Sequence, residues 1–143
     1  MSTPDSVRAW AGVLRLHSQV LPLLDREVTA QGGLPLSWYD VLLELASAGG
    51  RLRMSELGKR VVLSRTRVSR IVDELAAAGL VQREANPDDG RSSFAVLTPE
   101  GRARQRAAAP VYLRGIEQEL GRRLSPGSQR ALADLLEEAL DAG

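Results

Sequence analysis

The stretch from Leu63 to Leu80, LSRTRVSRIVDELAAAGL, constrains the fold of this chain most tightly. Val68, Ile71, Val72 and Leu75 fall at i, i+3, i+4 and i+7, the spacing that gathers four apolar side chains on one helical stripe and obliges it to face a core. At about 100° per residue, Thr66, Arg70, Asp73 and Ala77 point the other way, flanked by Arg65, Arg67 and Ser69. Ser64 precedes the helix as an N-cap, and Gly79 follows its last turn, so both ends are marked. An apolar back with a front of Arg, Ser and Thr suits a DNA major groove. Arginine on a helix face is more often plain solvated surface, so the neighbouring segments decide between the two.

Upstream, the segment from Met54 to Val61 predicts a short helix with Leu57, Val61 and Met54 inward, and Val62-Leu63-Ser64 is the turn into the next. Two helices so joined form a helix-turn-helix. Arg51-Leu52-Arg53 reads as an extended connector or one small strand. Downstream the period changes to alternation: Leu80 to Glu84 reads as a strand and Phe94 to Leu97 as its return, joined by the turn-forming run ANPDDGRSS. A hairpin directly after such a helix is a wing. Arg91 at its tip is long enough to enter a minor groove, where negative potential is concentrated. Asp88 and Asp89 lie adjacent on this turn with no apolar pocket to raise either pKa, so they read as turn formers rather than a catalytic pair.

The flanks read as helices. From Pro4 to Ala30, Val7, Trp10, Ala11, Leu14, His17, Ser18, Leu21, Leu24 and Val28 share roughly one face; Pro22 predicts a kink or break, and Gly32, Gly33 and Pro35 end the element. Leu34 to Gly50 gives a second helix capped by Ser37, with Val41, Leu42 and Leu45 inward and Trp38 and Tyr39 in its first turn. Thr98-Pro99-Glu100 carries strong start signals for a long helix reaching about Leu124, kinked at Pro110, and Ser125-Pro126 repeats them for a last helix. The stripe Leu132, Leu135, Leu136 and Leu140 exceeds what a small winged domain needs for its own core. With the first and the Thr98 helices it forms a surface for a second copy.

At 143 residues there is room for one domain with an oligomerisation element, and none for a second catalytic domain. The absence of cysteine excludes disulfides, thiolate catalysis and Cys-ligated metals. His17 is the only histidine and reads as a core or interface residue, and no phosphate loop surrounds Gly58-Lys59, so neither enzyme nor cofactor is expected. No apolar run approaches the ~20 residues of a membrane span and no secretory signal opens the chain, which makes cytoplasmic residence the expectation. The net charge of +1 conceals an uneven distribution. Between Arg51 and Ile71 seven basic residues face Glu56 alone, a net +6, whereas Ser125 to Gly143 carries −3. A basic middle suits a polyanionic partner.

The strings RMSELGKRVVLSRTRVSRIVDELAAAGLVQRE, NPDDGR and LTPEGR, in this order, resemble the MarR-type winged helix-turn-helix transcriptional regulators, and the resemblance covers nearly the whole chain. It implies a mainly α fold with a small β-hairpin wing, in which residues 36–97 form the winged DNA-binding lobe and residues 1–35 and 98–143 a helical dimerisation region. A homodimer on the double-stranded DNA of a pseudo-palindromic operator is implied, acting as a repressor that a small aromatic or phenolic ligand relieves. Carried over by position, the pattern puts Ser64, Arg65, Thr66, Arg67, Ser69 and Arg70 in or beside the major groove and Arg91 in the minor groove. Asp73 and Asp89 match the acidic positions that orient the wing, with Asp73 pairing the wing arginine. Gly90 departs from the basic or polar residue common there, which removes one phosphate contact. An effector pocket is expected where the dimer helices meet the DNA-binding lobe, near His17, Trp38, Tyr39 and Tyr112. The rival reading is a winged-helix module that binds a protein without specific DNA recognition, since this fold does not dictate function.

Overall fold

The computed structural model describes residues 4–62 and 65–143, with Arg65 by its backbone only. The elements in order are α1 (Pro4–Glu27), α2 (Leu36–Ser47), β1 (Arg51–Arg53), α3 (Met54–Arg60), α4 (Val68–Ala77), β2 (Val81–Ala85), β3 (Ser93–Leu97), α5 (Pro99–Glu119) and α6 (Pro126–Asp141). Strand order is β1-β3-β2, antiparallel throughout, with Leu52 opposite Ala95 and Arg83 opposite Ala95 on the other side. The fold is therefore mainly helical with a small winged sheet, as the sequence leads one to expect.

The α4 stripe does what its spacing demands. Ile71, Val72 and Leu75 are buried with Leu42, Leu45, Leu57, Val61, Leu80 and Val81 in one core that also takes Leu24, Val28, Ala108 and Val111. The α-helix proper begins at Val68, and Arg65–Arg67 form one turn of 3-10 helix before it. The predicted Ser64 cap and the Leu63 turn position lie outside the described residues. At the other end Gly79 takes φ +78°, its N–H donating to the Ala76 carbonyl while Leu80 N–H donates to Leu75. This paired closure satisfies two of the carbonyls a helix end leaves open and needs a left-handed residue, which glycine supplies without strain.

The LTPEG segment locks α5 to that same end. Thr98 Oγ1 accepts the Gly101 N–H at 3.0 Å, as an N-cap should, and donates to the Gly79 carbonyl at 2.8 Å. Gly101 lies so close to Leu80 that a Cβ there would run into its carbonyl oxygen. Ser125 caps α6 in the predicted manner, accepting from Ser128 N–H at 3.2 Å.

Three local expectations need correction. α1 runs through Pro22 without the break that is one of the two outcomes the sequence predicts there, and α5 likewise continues past Pro110, where the sequence predicts a kink and no break. Both prolines sit on exposed faces, where water can take the carbonyl bond that the missing N–H gives up. α1 ends instead in a widened π turn, Val28–Gly32, closed by Gly33 at φ +77°. Finally, α2 starts at Leu36, so Ser37 lies inside it, and no side chain of its own N-cap closes the end. The Leu36 N–H donates to Asp25 Oδ1 at 2.9 Å: a carboxylate from α1 caps α2.

Candidate nucleic-acid interface

The face of α4 opposite the core is polar and open. Thr66, Arg67, Ser69, Arg70 and Asp73 are all exposed, with the Arg70 side chain 73% accessible. Ser64, and the side chain of Arg65, lie outside the described residues. Four of the six expected major-groove residues are thus exposed, Thr66 and Arg67 on the 3-10 turn that leads into α4 and Ser69 and Arg70 in its first turn. Arg70 Nε approaches Glu74 Oε2 at 3.6 Å, one helical turn on, and Glu74 Oε1 accepts the Trp38 indole N–H at 3.1 Å.

The wing is fastened to this face by one residue that sequence reasoning passed over. Arg83, in the middle of β2, reaches Asp73 Oδ1 with its Nε at 3.0 Å and donates through Nη2 to both the carbonyl and the hydroxyl of Ser69, each at 3.0 Å. Ser69 and Asp73 are i and i+4 on the helix, so a single guanidinium spans one turn of α4. Asp73 accordingly engages a wing arginine, but it is Arg83 and not Arg91. Arg83 sits in the paired strand, where the hairpin register fixes its position beside α4; Arg91 lies at the exposed tip.

The tip is built around Asn86, the one buried polar residue among the described positions. Its Oδ1 accepts the Asp88 N–H at 3.0 Å and its Nδ2 donates to Ser92 Oγ at 2.9 Å. Asp89 Oδ1 accepts the Arg91 N–H at 3.0 Å, which fixes the backbone from which Arg91 projects. Asp89 therefore shapes the tip through the backbone. The Asx-rich run signalled a turn, but not which asparagine would be enclosed.

Behind the wing, β1 adds positive charge. Arg51 stacks its guanidinium over the Phe94 ring at 3.8 Å and pairs with Glu84 at 3.4 Å, and Arg53 lies 6.0 Å from the same ring. Stacking holds these long side chains with less freedom than solvated ones have. Lys59 and Arg60 on α3 are exposed as well.

The four residues expected around an effector pocket separate into two groups. His17 and Tyr112 line an apolar groove of about 1010 Å³ between α1, α5 and α6, together with Trp10, Leu21, Leu132 and Leu136. Tyr39 is buried behind this groove, its ring 4.8 Å from that of Tyr112, and its hydroxyl accepts from Gln105 at 3.4 Å. Burial raises the pKa of Tyr39 against the opposing effect of the Gln105 bond. Burial likewise raises that of Tyr112, with Tyr39, Asp40 and Glu44 adding to the shift, so both phenols are neutral at physiological pH. Trp38 does not line the groove; its indole turns to Glu74 on α4. Trp10, which does, had only its place on the apolar face of α1 to signal it.

Among the described residues no cluster of side chains is arranged to hold a metal, and no helix is long and apolar enough to cross a membrane. A helix-turn-helix whose second helix opens with exposed Arg67, Ser69 and Arg70, with a wing clamped beside it, defines a winged helix-turn-helix DNA-binding protein. Residues 32–92 match the sequence model described as the MarR family. The chain is 32% identical over 98 residues to the uncharacterized HTH-type transcriptional regulator YkoM of Bacillus subtilis, a match that covers 68% of this chain and 63% of that protein. It is 31% identical to the MarR family regulator Sco3205 of Streptomyces coelicolor, solved in complex with DNA, with a TM-score of 0.83 over 99% of this chain and 90% of that one. The PcaV regulator of the same organism, solved in complex with its natural ligand, is 27% identical, with a TM-score of 0.75 over 99% and 94% of the two chains. The chain belongs to the MarR family of transcriptional regulators.

Proposed function

We propose that this chain is a homodimeric, sequence-specific repressor of an inverted-repeat operator, relieved by a small aromatic or phenolic ligand. The observation that carries the DNA reading is the open face of α4, with Arg67, Ser69 and Arg70 exposed beside a wing that Arg83 clamps to the same helix. The surrounding segment of net charge +6 supports it, as does the DNA complex of the similar Streptomyces coelicolor protein. Ser64, Arg65, Thr66, Arg67, Ser69 and Arg70 act in or beside the major groove, and Arg91 enters the minor groove. Arginine donors at the start of α4 supply base readout, while hydroxyls and the Arg51–Arg53 connector hold phosphates.

Dimerisation is assigned to residues 1–35 and 98–143, and DNA binding to residues 36–97. Trp10, Leu14, Leu113, Leu135, Leu136 and Leu140 are large apolar side chains left exposed on α1, α5 and α6, more than an isolated small chain keeps in water. A second copy related by a two-fold axis covers them and sets two recognition helices about 34 Å apart, one turn of DNA. Repression is then steric, by occupation of a promoter in the cytoplasm. The ligand site belongs at the groove of His17 and Tyr112, with Tyr39 behind it. PcaV, with its bound natural ligand, lends this regulation support.

Fluorescence anisotropy of the purified protein on the DNA upstream of its own gene, against random DNA across a salt series, tests the reading. Tight binding with a steep salt slope and a clear excess over random DNA supports a sequence-specific regulator. Equal, weak binding to both, followed by a genome-wide selection that also finds no site, favours the protein-interaction module instead.

A further inference from the structure

Glu74 is the residue between the recognition face and the rest of the fold. It lies one helical turn after Arg70, and its two carboxylate oxygens have different tasks: Oε1 accepts the Trp38 indole N–H at 3.1 Å, and Oε2 lies 3.6 Å from Arg70 Nε. Trp38 has little freedom to move. It belongs to the first turn of α2, whose N-terminus is capped by Asp25 and whose next residue, Tyr39, is buried against Tyr112. An indole has one donor, and Glu74 receives it.

A carboxylate fixed on one oxygen presents the other at a defined place. Arg70 Nε lies 3.6 Å from it, an ion-pair contact, and the two terminal nitrogens of the same guanidinium form a fork able to address the O6 and N7 of a guanine together. We infer that Glu74 is a positioning residue for Arg70: held by Trp38, it fixes the Nε side of the guanidinium so that the terminal pair is presented to a base. An arginine on a four-bond side chain otherwise samples many rotamers, and phosphates compete for it on either side of the groove. The inference deepens the proposed DNA reading and rests on it. It makes the first turn of α2, which itself touches no DNA in this account, a determinant of operator preference.

The sign of the expected effect separates positioning from simple charge. Glu74 is negative and close to a polyanion, so its neutralisation alone strengthens binding to every sequence alike. Loss of positioning instead lowers the preference for one base while the remaining positions are read as before.

The test is a parallel selection from a randomised DNA library with the full-length parent, Arg70→Ala, Glu74→Gln and Trp38→Phe, each confirmed folded by thermal melting. Expected is a motif for the parent, loss of preference at one position per half-site with Arg70→Ala, and at least a fivefold loss of enrichment at that same position with Glu74→Gln. Trp38→Phe, which keeps the Glu74 charge, gives a smaller loss at the same position and serves alone if Glu74→Gln does not fold. A parent motif retained unchanged by both Glu74→Gln and Trp38→Phe overturns the inference and leaves the DNA reading standing. A motif degraded evenly at all positions also overturns it, because that is what a general structural role produces. No motif for the parent overturns the DNA reading, and this inference with it.

Discussion

Asp73→Ala removes a negative charge from a surface that meets DNA, and it is expected to weaken operator binding nonetheless. Asp73 holds Arg83 Nε at 3.0 Å, and Arg83 is the residue that clamps β2 to α4 through Ser69 as well. The two side chains are 67% and 33% accessible, which places the pair among surface ion pairs worth about 0.2–1 kcal/mol. Taking the upper half of that range as the free energy lost from wing orientation, two copies on one operator lose about 1–2 kcal/mol, about 5–30-fold in affinity. The charge effect runs the other way but is screened over about 8 Å at physiological salt and acts on all DNA alike. Asp73→Ala is therefore expected to bind its operator about 5–30-fold more weakly while its affinity for random DNA is unchanged or slightly higher. Anisotropy titrations on both DNAs at fixed salt measure this. Operator binding by Asp73→Ala as tight as, or tighter than, the parent's refutes the clamp.

Arg70→Ala should cost about 1–3 kcal/mol on the operator and relax preference at one base; uniform weakening on all sequences makes Arg70 a phosphate contact instead. Leu136→Asp, at the centre of the exposed α6 stripe, should shift the protein from dimer to monomer in sedimentation, and an unaltered dimer removes α6 from the interface. Glu27 has its pKa raised, chiefly by desolvation and further by the neighbouring Glu119 carboxyl. A carboxyl whose folded pKa is raised binds its proton more tightly when folded, so its contribution to stability is fully present below its ordinary pKa and is lost as pH rises through the raised one. Glu27→Gln should thus exceed the parent in urea stability at pH 7.5 and converge with it in acid; an equal or lower midpoint at pH 7.5 contradicts this.

What could be read in the sequence was local. The α4 stripe, Gly79, the Thr98 and Ser125 caps and the alternating wing strands each rest on residues within a few positions of one another, and each is found. The features that were missed join segments whose proximity only the fold creates. Asp25 caps a helix eleven residues on, Trp38 reaches Glu74 across 36 residues, and Arg83 meets Asp73 only because the turn at Gly79 brings β2 back along α4. The resemblance supplied an acidic partner for a wing arginine, but the hairpin register decides which arginine that is. Pro22 marks no break for the opposite reason: its local rule is sound, yet exposure lets the helix continue past it.

The central claim, a two-fold dimer with one recognition helix per half-site, is tested most directly by hydroxyl-radical footprinting of the selected operator together with the protein-to-DNA stoichiometry. Two chains per duplex are predicted, with protected patches related by a dyad and centred about 10 base pairs apart on one face of the DNA. One chain per duplex, or a single patch without a dyad-related mate, contradicts it.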